Sequence, residues 1–463
     1  MSPPLIASRE KPFRDSPKLA RSANLQELDF LVTLRSKHAG TLASTAHFAV
    51  FEDVCPEGLA SRPAAGRKAA LKVRNNSNIS PWEEENKMKL EMKILAVFAL
   101  AVMLPCLAVA QYTRTDLVTN SGAGGTVPDP NLVNGWGLVS TSTSPFWVSD
   151  NGTGVSTLYS ISNTNGVAAT RLGLVVSIPS VSGGPGTPTG IVAPETPAGV
   201  KAFTITGINP ITGKQASANS LFIFSTLDGT ISGWNPAVDG VSATGASTAT
   251  LTANRSAAGA TYTGLAIATN NGQRFLYAAD DGENRRIDVF DSTFQLVELG
   301  ENAFVDARIP KKFAPYGIQT ITDADGTETI WVTYTALDKS QGGFVDSFTP
   351  AGVLKTHFAV SGPLHSPWGV ALAPADFGPM SNALLITNNT PHGRINAFDP
   401  KTGAFLGPLR DTSGKAIEID DVWAIQFGQG GMAGLNGNPN QLFFTAGNNN
   451  YGNGTFGVIT FGQ

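Results

Sequence analysis

The chain has 463 residues and carries 32 Lys and Arg against 36 Asp and Glu, a formal net charge of −4. From Gln111 onward the balance is seventeen basic to twenty-five acidic residues, about −8, which excludes the clustered positive charge that nucleic acid or anionic lipid demands of a partner. Both cysteines, Cys55 and Cys106, precede Gln111, so the remainder excludes a disulfide framework, a thiolate nucleophile and a Cys-ligated metal.

The first element in chain order is an export signal that stands unusually late. Lys89 and Lys93 form its charged end, Ile94 to Leu104 is an uninterrupted apolar run, and Ala108-Val109-Ala110 is a small-x-small cleavage site. The run is too short to span a bilayer. Glu83-Glu84-Glu85 is encoded by purine-rich codons resembling a bacterial ribosome-binding sequence, two residues ahead of Met88. Translation is therefore expected to start at Met88, leaving residues 1–87 as an upstream over-read or, alternatively, a disordered leader. The predicted organisation is 1–87 as that segment, 88–110 as a signal peptide and 111–463 as the mature protein, secreted or periplasmic.

Beyond Gln111 a short signature recurs six times: Trp136-Gly137-Leu138, Thr189-Gly190-Ile191, Thr263-Gly264-Leu265, Tyr316-Gly317-Ile318, Trp368-Gly369-Val370 and Trp423-Ala424-Ile425. Its intervals are 53, 74, 53, 52 and 55 residues. After each copy come a second apolar run, a turn rich in Asp, Asn and Gly, and a third run of alternating apolar and polar residues, as in Ile287-Asp288-Val289-Phe290. Period-two patterning bounded by such turns predicts strands joined by hairpins. Four strands in about fifty residues is a propeller blade, so the predicted fold is all-β, a six-bladed β-propeller. The long interval predicts an enlarged loop between Ile191 and Leu221. The last unit runs out of residues after its third strand, Gly454 to Phe461, so Tyr112 to Val118 is expected to complete it and close the ring.

These repeats, with DPNLVNGWGL at Asp129 to Leu138 and FWVSDNGTGVSTLYS at Phe146 to Ser160, resemble a family of uncharacterised exported bacterial proteins with NHL-like six-bladed propellers, associated with PEP-CTERM sorting systems. The resemblance covers Gln111 to Gln463 and implies the same propeller fold. It implies no reaction, and the chain lacks the family's Pro-Glu-Pro tail, ending at Phe461-Gly462-Gln463.

Known catalytic signatures are missing from the mature chain: there is no Gly-x-Ser-x-Gly, no His-Glu-x-x-His and no Gly-x-x-x-x-Gly-Lys. Asp323-Ala324-Asp325-Gly326-Thr327-Glu328 lacks the later ligands of a calcium loop and is read as a hairpin turn. Function is therefore sought on the propeller face where the loops leading into the inner strands and the second-to-third-strand hairpins emerge around the channel. Candidate ligand-binding residues there are Asn134, Tyr262, Tyr316, His365, Trp368 and Trp423; candidate metal ligands are Asp150, Asp280, Asp281 and Asn388. Three readings stand side by side. Asp and Asn can be turn formers that bond their own backbone. Hard oxygen donors converging on the channel can hold calcium. Aromatics beside amides and carboxylates can bind a small molecule, carbohydrate or protein ligand. The expected role is ligand or partner binding by a monomer without nucleic acid or a membrane span. The alternative is a calcium-dependent, lactonase-like hydrolase in which Asp420 or Asp421 activates water. At the repeated glycine, alanine is expected to be mildly destabilising at Gly317 and Gly369, and valine severely so.

Overall fold

A computed structural model describes residues 112–462, apart from 339, 361 and 432–434, together with the isolated Trp82. The signal segment 88–110 and the rest of 1–87 lie outside the described residues. The chain folds as the predicted six-bladed β-propeller, each blade an antiparallel sheet read from the channel outward as strands a to d. The a strands are Gly135–Val139, Pro188–Val192, Tyr262–Asn270, Phe313–Thr322, Pro367–Leu372 and Val422–Phe427, and each packs beside the next around the channel, the sixth beside the first. Six hydrophobic clusters fill the six interfaces between neighbouring blades.

Two departures from the regular plan were foreseen. The 74-residue interval contains an added hairpin, Thr204–Ile208 paired with Gln215–Asn219, placed between strands a and b of blade two. Ring closure uses the N-terminal strand: Tyr112–Thr119 pairs antiparallel with Thr455–Phe461, the c strand of blade six. Tyr112 locks this strand in place. Its hydroxyl donates to Phe377 O at 2.7 Å and accepts from Met380 N at 3.0 Å, while its ring packs against Phe377 and Phe461.

The signature acquires a physical meaning in the register. In every blade the a–b ladder is interrupted at this position, for example between Pro315 and Ile318 and between Pro367 and Val370. Such a bulge re-aims the side chain in front of the glycine and, in blades two, four, five and six, takes the residue at the glycine position, with its N–H, out of the ladder, whereas in blade three Gly264 stays paired with Ala279. A hydroxyl on strand b takes that N–H: Gly190 N donates to Ser225 Oγ, Gly317 N to Thr333 Oγ1 at 2.8 Å, Gly369 N to Thr387 Oγ1 at 2.7 Å and Ala424 N to Thr445 Oγ1. Two of these hydroxyls also donate to the neighbouring blade, Thr387 to Trp423 O at 2.9 Å and Thr445 to Trp136 O at 2.6 Å. Thr387→Val is expected to leave two buried backbone groups unpaired and cost about 2 kcal/mol or more in urea titration, with Thr387→Ser close to the parent. A Val variant as stable as the parent would show that the hydroxyl bridge contributes nothing.

Candidate functional site

The re-aimed aromatics meet at the channel axis. Trp136 stacks on Trp423 at 3.6 Å between centroids, and Trp368 meets both edge-on at 6.5 and 5.9 Å. Trp368, on blade five, reaches across the channel so that its Nε1 donates to Thr263 O of blade three at 2.9 Å. Trp423 Nε1 donates to Asn134 Oδ1 at 2.9 Å, and Tyr316 and Tyr451 pack on the same Trp423 ring. With Leu227 from blade two added, every blade contributes to one plug that closes the channel.

Below the plug lies a cavity of about 540 Å3. Its lining begins at Gly137, Gly190, Gly369 and Ala424 and continues down the a strands to Ser140, Ala193, Thr322, Leu372 and Phe427. It therefore opens among the a–b hairpins, on the face opposite the one selected from the sequence. The a strands are sheet edges, so their free N–H and C=O groups turn to the channel and make it polar although the blades are held together by aliphatic side chains. Gln319 and Thr322 are exposed within it, and the Thr320 hydroxyl is buried without a hydrogen-bond partner. At its mouth Arg274 pairs with Glu328 at 3.2 Å and donates to Pro194 O, tying blades two, three and four together.

The candidates picked from the sequence fall into three groups. Asn134, Tyr316, Trp368 and Trp423 come together in the plug, where three of them are nearly solvent-free and Tyr316 is half-buried. Tyr262 does not join them: it is fully buried between blades two and three, its hydroxyl donating to Asp288 Oδ2 at 2.7 Å. His365 is half-buried beside Asn388, which accepts from its backbone N–H. The proposed metal ligands are not brought together as a set of donors. Asp150 is buried inside blade one and accepts from Thr157 Oγ1 at 2.8 Å. Asp280 accepts from Thr261 N, Gly282 N and Asn284 Nδ2 within its own blade. Asn388 donates to Pro363 O at 2.7 Å, and Asp420 stands exposed on the rim, accepting from His392 N. Turn and blade chemistry thus occupies most of the rim. The Asp323 to Glu328 segment is a hairpin turn, as expected, with Gly326 N donating to Asp323 O.

Asp281 and Asp421 differ from the others, since no side-chain hydrogen bond holds either of them and both lie close enough to Tyr316 to raise its pKa. Burial lifts the Asp421 carboxyl to about 6, with the Asp420 charge adding to the rise; burial and Asp280 do the same for Asp281, also to about 6. A carboxyl whose pKa is higher folded than unfolded keeps its proton longer in the native state. Its protonated form favours folding at low pH, and that stability is lost as pH rises from about 4 through about 6. Asp421→Asn is therefore expected to melt higher than the parent at pH 7.5, with the gap narrowing towards pH 4. A gap of the same size at both pH values would contradict this.

The strand-b hydroxyls were missed in the sequence, though a signal was there: Ser225, Thr333, Thr387 and Thr445 each directly follow the second apolar run.

No family model matches the chain. It is 30% identical over 330 residues to the uncharacterized protein L690 of Acanthamoeba polyphaga mimivirus, covering 69% of this chain and 79% of that protein. The chain belongs to the L690 family. A further mimivirus relative, the uncharacterized protein R648, is 27% identical over 357 residues, 74% of this chain and 78% of its own. These relatives give no support to the bacterial, sorting-associated origin that the motif resemblance implied. Among solved structures, a streptogramin B lyase matches at 12% identity and TM-score 0.40 over 76% of this chain and 97% of its own. A periplasmic gluconolactonase of Pseudomonas aeruginosa matches at 16% identity and TM-score 0.37, over 70% and 85%. Among the described residues no helix is long and apolar enough to cross a membrane.

Proposed function

We propose that this member of the L690 family is an exported binding propeller that takes a small polar, hydroxyl-bearing ligand, of mono- to disaccharide size, in the channel cavity below the aromatic plug. The observation that carries this reading is the cavity itself. At about 540 Å3 it falls within the range of small-molecule sites, and it is floored by Trp368 and bounded by six strand edges that offer both donors and acceptors. Gln319 and Thr322 add an exposed carboxamide and hydroxyl, groups that both donate and accept and so suit a ligand rich in hydroxyls. The ligand-binding role expected from the sequence is kept, but on the opposite face. Export rests on the Lys89 to Ala110 segment, and mass-spectrometric identification of a mature N-terminus at Gln111 would support it, whereas peptides recovered from residues 1–80 would count against the start at Met88.

The test of binding is a thermal-shift screen of neutral mono- and disaccharides on the parent and on Gln319→Trp. The Gln319 side chain is exposed to the cavity and makes no hydrogen bond, so the indole should obstruct the space while changing stability by no more than about 1 kcal/mol. At least one sugar is expected to raise the melting temperature of the parent and not of the variant. A panel without effect on the parent, or a shift that survives Gln319→Trp, would remove this reading.

A further inference from the structure

Far from the channel, between blades three and four, the side chains of Asp306, Asp346 and His357 converge. His357 Nδ1 lies 2.7 Å from Asp346 Oδ1 and 2.9 Å from Asp306 Oδ2, and the three donor atoms all fall within 4.8 Å of one another. Asp346 is on strand c of blade four, Phe344–Phe348; His357 is on strand d, Leu354–Val360; Asp306 is in the connection arriving from blade three. Among the described residues this is the one place where three His, Cys, Asp or Glu donors gather so closely.

Protein groups alone do not satisfy this cluster. One imidazole nitrogen carries at most one hydrogen, yet two carboxylate oxygens sit within hydrogen-bond distance of it. Arg308 supplies a second cation, but it serves Asp306 only, through Nε and a 2.8 Å contact from its terminal nitrogen. Asp346 is solvent-free, and its Oδ2 has no donor. The Tyr334 phenol, 4% exposed, approaches the Asp346 carboxylate without closing a well-formed hydrogen bond, and lies near enough to Asp306 to feel that charge as well. Two carboxylates that share one imidazole nitrogen, with a buried oxygen of Asp346 left to a poorly formed phenol contact, make a costly arrangement unless a cation joins them.

We propose that Asp306, Asp346 and His357 form a binding site for a first-row divalent cation, zinc foremost, with Tyr334 beside its fourth position. Two carboxylate oxygens and one imidazole are donors zinc accepts in tetrahedral sites, whereas calcium takes six to eight oxygens. Ligand atoms around zinc stand about 3.3 Å apart, so the two contacts at His357 need to open by roughly half an ångström. Arg308 then orients the Asp306 carboxylate from outside, as partners of metal ligands commonly do. The ion would fasten the connection between blades to the outer strands of blade four.

The experiment uses the full-length protein, stripped with chelator and titrated with zinc chloride, with bound metal counted by mass spectrometry and melting followed in parallel. One zinc per chain is expected, with a rise of about 2 °C or more at saturation, and both are lost in Asp346→Asn and in His357→Gln. His392→Gln, at an exposed histidine beside Glu418, should bind as the parent does. Cobalt in place of zinc should give the visible absorption of a tetrahedral site, a readout independent of variant stability. No stoichiometric binding by the parent would mean that an imidazolium bridge alone joins the carboxylates and would overturn the proposal, as would zinc binding retained in folded Asp346→Asn or lost in His392→Gln.

Discussion

Replacing Gly317 by alanine is expected to destabilise the propeller by roughly 3 kcal/mol or more, because a Cβ placed there would stand 2.1 Å from Trp368 O of the next blade. The contact is with backbone, and both strands belong to the closed inner ring, so little can yield. Gly190→Ala faces the same obstacle, 2.3 Å from Leu265 N. Gly264→Ala does not: its nearest neighbours, Ile318 N and Tyr316 O, are 3.2 Å away, and a cost of about 1 kcal/mol or less is expected. This corrects the expectation of a mild effect at Gly317, and at Gly369, where the approach to Trp423 O is 2.5 Å. Ala424 in blade six was a poor guide, since the gap between inner strands varies around the ring. Urea titration of Gly317→Ala beside Gly264→Ala measures the difference; equal stabilities would mean that the inner strands do not approach as described.

Removing residues 111–120 should be similarly damaging. The deletion takes away Tyr112–Thr119, and with it seven paired positions along Thr455–Phe461, the buried Leu117 and Val118 and both hydrogen bonds of the Tyr112 hydroxyl. The c strand of blade six would become a bare edge, and blade five would lose the ring that covers Phe377. A loss of several kcal/mol is expected between the chain starting at Gln111 and the one starting at Ser121, with aggregation of the shorter chain on heating. Coincident melting curves would defeat the closure by the N-terminal strand. Tyr112→Phe isolates the hydroxyl, at about 1 to 2 kcal/mol.

The fold was legible because its determinants are local and repeated. Alternating strands, Asx-Gly turns and a six-fold signature specify blades, and a count of strands at the chain end specifies closure. The site was less legible, for a reason visible at Trp136, Trp368 and Trp423. Position in the repeat placed Trp368 and Trp423 near the channel, but only the bulge in each a–b ladder turns them, with Trp136, into a plug, and a plug moves the open space to the other face. Asp150 and Asp280 were misleading in another way. Both stand at hairpins where a ligand residue would be sought, yet Asp150 is sealed inside blade one with Oδ2 bound by Thr157 and Oδ1 facing no donor, and the oxygens of Asp280 are taken up by Thr261, Gly282 and Asn284. The Asp306, Asp346 and His357 cluster had no sequence signal at all, since its members lie on three segments up to 51 residues apart.

The account is tested most directly by amide hydrogen exchange with and without the sugar that gives the largest thermal shift. Ligand in the cavity is predicted to slow exchange along the channel edges of the inner strands, at 265–267 and 318–322, and to leave the opposite rim around Asp281, Asn389 and Asp421 unchanged. Protection confined to that rim, with the inner strands unaffected, would contradict the placement of the site below the plug.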